Sequence, residues 1–536
     1  MSNPDAERTA TGVLDWVSDG DPVQTTVLAI IAAAAGCETV APDMTFGAIG
    51  GDSLSATQVL ARVWRLLDVR LPLSSLAPDT EIGSFVALVK RGRADRDDGG
   101  TAIAPDRAGG NAAESLTPGQ VAILLSAELS GPQGAAAATL PVVRRIRGAL
   151  DRAALHDSLD ALVRRHQALS LSLGDQGNGL AQRQLPIEPI ELPVVDAGRD
   201  HLEVARQHLQ TPLDPAAPPL LRPLLVQIGP ADHLLVITIH HAVCDGWSVG
   251  ILLRELAALY ESSVTAAPPP ALGESPGFLD FARWQQQLLA REQDALVSFW
   301  RSALEPLPGD RWLPTDFERP HFRSGRGAAE PVGVDSEVFG DLRVSGGEQG
   351  ATTFMSLLAA FAIVLAELSG KTDLVIGAPM ANRSHPLLAG TVGYLSNTVP
   401  IRLDLDGDPT VREVIGRVRR ASLDAYDHQA LPLSSLIAAL SPKRDVSVPP
   451  VFQVCLVLND TQTVPMHGVE VEPVLLHKGT SPYDLTLYLE QRPDSLDGYV
   501  EYPTDLFRPQ TIERLRGRLI EVLRTMAADP DTKALR

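Results

Sequence analysis

The apolar residues of this chain recur at different spacings in different regions, and those spacings divide it. In the first ninety residues they follow a helical period. Val27 to Ala35 is one such stretch, a segment running through Leu60, Val63 and Leu67 is the second, and Ile82 to Val89 is the third. Residues 92–113 are rich in Gly, Ala, Asp and Arg and show no apolar period, which predicts a linker. Further on, the short apolar run Leu234 to Ile239 predicts a strand, and Ile251 to Tyr260 returns to helical spacing. Val264 to Pro276, rich in Ala and Pro, predicts a surface loop. Thr353 to Leu368 predicts a long apolar helix, and Asp373 to Pro379 a buried strand. No internal repeat is visible.

Length and composition narrow the class. A chain of 536 residues, 44% hydrophobic, suffices for two or three domains with a sizeable core. The three cysteines, Cys37, Cys244 and Cys455, are far apart and odd in number. They argue against a disulfide framework and for a reducing, cytoplasmic compartment. The acidic N-terminus lacks the pattern of a signal peptide, and no apolar run approaches the length of a membrane span. A net charge of −20 disfavours nucleic acid as a partner.

The run His240-His241-Ala242-Val243-Cys244-Asp245-Gly246-Trp247-Ser248 stands where the strand gives way to the helix. At such a junction a side chain is held rigidly and still faces a cleft. Successive strand residues point to opposite faces, so one histidine is structural and the other reactive. Imidazole titrates near neutral pH and suits a step in which an attacking nitrogen loses its proton. Gly246 allows a tight turn or a close backbone approach. The alternative reading is two histidines ending a buried strand, with Asp245 capping the helix. A metal site is disfavoured, because the adjacent side chains diverge and no third His or Cys lies nearby. Earlier in the chain, Gly50-Gly51 predicts a turn, and Asp52 or Ser53 opens the second helical segment. A serine there can be an ordinary N-cap. It can also carry a phosphodiester beside unpaired backbone N–H groups and the positive helix pole.

The HHxxxDGWS pattern resembles the active-site motif of condensation domains of nonribosomal peptide synthetases, in the chloramphenicol-acetyltransferase-like superfamily. The Phe46 to Leu54 segment resembles the phosphopantetheine-attachment motif of peptidyl carrier proteins. Weaker matches follow in family order: Ser115 to Gln120, Arg165 to Leu169, Phe278 to Gln285, Val392 to Arg402, His428 to Pro432, Arg444 to Ser447, and Asp497 to Tyr502. Where the family continues its second motif with an arginine that often pairs with the motif aspartate, this chain has Ser170. Either another base, with Arg164 and Arg165 as the candidates, substitutes for it, or the site is remodelled. Asn382, Arg383 and Asn397 are candidate contacts between lobes.

The resemblance implies a flexible segment over 1–20, an all-α four-helix carrier domain over 21–91, and a linker over 92–113. It implies an α/β condensation domain over 114–536, V-shaped and bilobal, with an N-lobe over about 114–295 and a C-lobe over about 296–536. It makes His241 catalytic, with His240, Asp245 and Gly246 as structural support. It makes Ser53 the attachment point of 4′-phosphopantetheine, with no metal. The implied activity is amide (peptide) bond formation between a tethered acyl or peptidyl donor and an acceptor amine. The implied partners are an acceptor carrier protein, an adenylation domain upstream or in trans, and a phosphopantetheinyl transferase, with no nucleic acid or membrane. An ester-forming or soluble-acceptor acyltransferase and a non-catalytic recruitment module remain as alternatives.

Overall fold

The computed structural model describes residues 21–94 apart from 38, 52, 68 and 70. It also describes residues 113–535 apart from 130, 176–178, 309–311, 442–444, 446 and 461–463. The expected N-terminal segment, most of the expected linker, Asp52 and Arg444 lie outside the described residues.

The N-terminal unit is helical. Pro22–Ala35 starts where the Asp21 carboxylate accepts the Val23 N–H at 2.9 Å, and it stops at Gly36 with φ 70°. A second helix is Ser53–Leu67 and a third is Ile82–Ala94. Where the four-helix layout expects one more, the chain makes only a 3-10 turn, Leu73–Leu76, entered from Pro72. Val27, Ile31, Phe46, Val59, Val63, Phe85 and Val89 close the core. The glycine pair before Ser53 has a steric cause. Gly50 takes φ 83°, and a Cβ on Gly51 would meet the Phe46 ring at 2.5 Å.

The rest of the chain is mixed α/β. Its strands are β1 (Glu114–Ser115), β2 (Thr139–Gly148), β3 (Leu171–Asp175), β4 (Leu180–Gln184), β5 (Val194–Asp196), β6 (Leu221–Gly229) and β7 (Asp232–His240). They continue as β8 (Gly327–Val334), β9 (Asp373–Met380), β10 (Asn397–Asp404), β11 (Val454–Asp460), β12 (Val469–Pro473), β13 (Leu485–Gln491) and β14 (Leu496–Pro503). One five-stranded sheet has the order β12-β2-β7-β6-β5, and a six-stranded sheet has the order β10-β9-β11-β13-β14-β8. A small sheet, β1-β4-β3, completes the set.

The first sheet packs its helices around Leu155, Leu162, Ile239, Ile251 and Tyr260. The second encloses the almost wholly buried helix Thr353–Ser369. Two devices tie the sheets together. The late strand β12 pairs antiparallel with β2 of the first sheet. The helix Phe278–Leu304 runs through the expected lobe boundary at 295/296. Its Phe278, Phe281 and Trp284 lie in the first core, and its Leu296, Trp300 and Leu304 lie in the second. No single helix among the described residues is long and apolar enough to cross a membrane.

Candidate functional site

β7 is buried along almost its whole length, and it ends at His240 with His241 directly after it. They diverge. His240 is 2% exposed, and its Nδ1 accepts the Ala242 N–H at 3.2 Å, capping the 3-10 turn His241–Val243. Burial, then the neighbouring His241 and Lys478, push its pKa down to about 4, so it is neutral. His241 is half-buried. Its Nδ1 lies 2.8 Å from the Cys244 carbonyl oxygen. A carbonyl only accepts, so the proton sits on Nδ1 and the lone pair is on Nε2. Among the described residues no hydrogen bond engages Nε2. Burial depresses the His241 pKa and Lys478 adds to that, against an opposing pull from Asp245. The Tyr394 ring meets the imidazole edge-on at 5.2 Å. The Tyr394 hydroxyl is pushed up to about 12, first by burial and then by Asp245.

Asp245 sits in a buried clasp. It is 1% exposed and caps the helix Gly246–Thr265, accepting the Ser248 N–H and Oγ–H at 2.8 Å each. Its other oxygen accepts the Leu395 and Ser396 N–H groups at 3.0 Å each. Arg383 is fully buried and binds both carboxylate oxygens, at 2.9 and 3.0 Å. Burial alone would raise the Asp245 pKa, but the Arg383 guanidinium and the hydrogen bonds from Ser248 together outweigh it and the net direction is down. The Arg383 guanidinium also sits 5.5 Å over the Trp247 ring. Gly246 comes close to the second sheet, since a Cβ there would be 3.3 Å from Asn459 Oδ1.

This corrects one expectation. Neither Arg164 nor Arg165 replaces the arginine missing at Ser170. Arg164 pairs with Asp160 and Arg165 with Glu255, while the Ser170 hydroxyl donates to the Gln167 carbonyl. The partner of Asp245 is Arg383, one of the expected inter-lobe contacts. Asn397, another of these, donates to the carbonyls of Gln429 and Leu431. A further buttress comes from the end of the Ser115 to Gln120 segment. Buried Gln120 donates to the Ala242 carbonyl at 3.3 Å and to Gln182 at 3.0 Å.

The clasp yields a stability prediction. Arg383→Met leaves a buried carboxylate without its counter-ion, which costs about 3–5 kcal/mol. Urea unfolding of the full chain should show that loss in the transition of the larger unit. Arg164→Met should leave it unchanged within about 0.5 kcal/mol.

Ser53 is the first residue of the fifteen-residue helix Ser53–Leu67. A helix start provides unpaired N–H groups and positive potential, which fits a phosphodiester. The same helical unit rests on the larger one. The Trp64 ring lies 4.3 Å from His385, which in turn lies 6.0 Å from Trp284. Ser74 Oγ donates to Asp427 at 2.6 Å, and Arg419 pairs with Asp79. His385 is two residues beyond Arg383, so the segment that holds Asp245 also supports the helical unit.

Comparison with known proteins follows the same division. Residues 25–89 match the pattern of the phosphopantetheine attachment site, and residues 115–535 match that of the condensation domain. Malpibaldin synthetase of Mortierella alpina is 32% identical over 99% of this chain and 10% of its own length. Malpinin synthetase of the same organism is 33% identical over 91% of this chain and 6% of its own length. A dimodular nonribosomal peptide synthase of Bacillus subtilis is 30% identical over 92% of this chain and 21% of its own length. The chain thus spans a small part of each relative. Among solved structures, the X-domain in its complex with OxyB from teicoplanin biosynthesis matches with a TM-score of 0.69 and 27% identity. That match covers 82% of this chain and 98% of the other. The condensation domain of the monacolin K polyketide synthase MokA shares the fold, with a TM-score of 0.72 and 22% identity over 79% of this chain and 99% of its own.

Proposed function

Because the chain belongs to the condensation-domain family and carries a phosphopantetheine-attachment segment, we propose that it joins a carrier-tethered acyl or peptidyl group to an acceptor amine in nonribosomal peptide synthesis. The observation that carries this reading is the set of the His241 ring. With Nδ1–H committed to the Cys244 carbonyl and the imidazole held neutral, Nε2 offers a lone pair. Attack by an amine on the donor carbonyl would form the C–N bond and break the carbonyl's bond to sulfur, with Nε2 of His241 accepting the proton that the nitrogen loses. Return of that proton from Nε2 to the departing sulfur would restore the imidazole. Asp245 takes no part in this transfer. It is saturated by Arg383, Ser248 and the 395–396 amides, and it sets the geometry of the motif turn.

At Ser53, 4′-phosphopantetheine supplies a thiol that carries the donor as a thioester on a tether. Tethering raises the local donor concentration without requiring tight small-molecule binding. In this reading residues 21–91 form the carrier, 92–113 the linker and 114–536 the condensation unit. Two sheets with separate cores support a V of two α/β lobes, divided within the helix Phe278–Leu304. The carrier has a four-helix plan with its third helix reduced to a 3-10 turn. Its partners are an acceptor carrier with a tethered aminoacyl group, an adenylation domain and a phosphopantetheinyl transferase.

The test is intact mass after treatment with a phosphopantetheinyl transferase and an aminoacyl-coenzyme A, followed by transfer to a loaded acceptor carrier. Loading with no amide product under any acceptor would reject the reading.

The Trp64 contact gives a second expectation. Trp64→Ala removes an aromatic contact worth about 0.5–1.5 kcal/mol, so the single-turnover rate of transfer from the donor at Ser53 should fall roughly 2–10-fold. Transfer from a soluble thioester should not change. Equal losses for both donors would mean that the contact does not serve delivery.

The likeness to the X-domain, a protein that forms a complex with OxyB, favours one other reading, a docking module without chemistry. That reading predicts partner binding with no product in the wild type. It also predicts no difference between wild type and His241→Ala.

A further inference from the structure

Lys478 belongs to none of the motifs, yet its ammonium group is committed to the turn that holds the reactive imidazole. Nζ donates to the carbonyl oxygens of Ala136 at 3.2 Å, Ala137 at 2.7 Å and Thr139. The carbonyl omitted from that series, Ala138, accepts the His241 backbone N–H at 2.8 Å. Thr139 itself pairs with His240 across β2 and β7. A single stretch of four residues therefore holds a cation through three carbonyls and His241 through the fourth. The helix Gly131–Ala137 ends there, so its negative pole also faces the ammonium.

This lysine forms no ion pair among the described residues. Glu501 acts on it only through space, and that carboxylate is engaged by His477 at 2.9 Å. Burial lowers the Lys478 pKa to about 8, which still leaves most of it charged at neutral pH. Its backbone is also fixed, with the Lys478 carbonyl accepting from Gln210 at 3.0 Å. The other titratable groups against His241 do not duplicate its charge. His240 is neutral, Asp245 is clasped by Arg383, and burial keeps the Cys244 thiol and the Tyr394 hydroxyl protonated.

We propose that Lys478 is a positioning residue for His241. It clamps the 136–139 turn to the segment following β12, and its fixed positive charge keeps the imidazole free to accept a proton. The second half of this statement rests on the reading of His241 as proton acceptor.

The test uses the full-length chain with Lys478→Gln, Lys478→Arg and Lys478→Met. Glutamine keeps hydrogen-bond donors for the carbonyls and removes the charge. Arginine keeps both. The His241 ring is followed by NMR of histidine-labelled protein across pH, with His241→Gln providing the assignment. In Lys478→Gln the His241 midpoint should move to higher pH by about half a unit or more. The acid limb of the transfer rate should move with it. Lys478→Arg should restore both, and Lys478→Met, if folded, should behave as glutamine does. An unshifted midpoint in folded Lys478→Gln overturns the role of Lys478 and leaves the reading of His241 intact. A shifted midpoint with an unmoved rate profile overturns the proton-acceptor reading and leaves the electrostatic role of Lys478 standing.

Discussion

His241→Ala is expected to slow amide formation about 10²–10⁴-fold, the usual contribution of a positioned proton acceptor. Loading at Ser53 should be unaffected, because His241 is held by the Cys244 and Ala138 carbonyls and touches no residue of the helical unit in any hydrogen bond or ring contact among the described residues. The adjacent substitution is the control. His240→Ala removes a capping acceptor for the Ala242 N–H, a loss of about 0.5–2 kcal/mol in stability, and removes no group that takes a proton. The variant should be less stable but retain chemistry once folded. Single-turnover transfer at saturating acceptor separates the two. If the histidines prove interchangeable in rate, the division of labour argued from β7 is wrong.

Ser53→Ala is expected to abolish both modification and transfer from the tethered donor. The hydroxyl is the only atom that can form the phosphodiester, so no partial phenotype is available. Fold should survive. The substitution lies at a helix start, where loss of a serine costs about 0.5–2 kcal/mol, and the core of Val27, Phe46, Val63 and Phe85 is untouched. Intact mass checks this. No mass gain should be seen in the variant, and one stoichiometric gain in the wild type. The variant should still accept a soluble thioester donor at the wild-type rate per encounter, because His241 is intact. Mass gain in Ser53→Ala would place the attachment elsewhere.

What the sequence discloses here is what is local. The strand–turn–helix around His241 is contiguous in the chain, so apolar spacing and residue order reveal the element, the divergence of the histidines and the helix cap at Asp245 together. Gly50-Gly51 before Ser53 is equally local, although its cause, the Phe46 ring beneath Gly51, appears only in three dimensions. The support of the site is not local. Arg383 reaches Asp245 from 138 residues away. A missing arginine at Ser170 directs attention to its sequence neighbours, Arg164 and Arg165, when the substitute arrives along another path. Lys478 lies 341 residues beyond the Ala137 carbonyl that it caps. A lone lysine between His477 and Gly479 carries no signal of that. The division between the two cores is hidden for a different reason. One continuous amphipathic helix, Phe278–Leu304, serves both cores, so composition does not change where the architecture does.

The central claim is that an acyl group tethered at Ser53 reaches Nε2 of His241, and covalent capture tests it most directly. Ser53 is loaded with a chloroacetylated pantetheine in a Cys37→Ala background, which removes the half-buried thiol of the helical unit. Cys244 and Cys455 are buried, with thiols raised by burial. The account predicts displacement of chloride by the imidazole and a cross-linked peptide pair joining Ser53 to His241, absent in His241→Ala. Capture at any other residue, or a yield indifferent to His241→Ala, would contradict it.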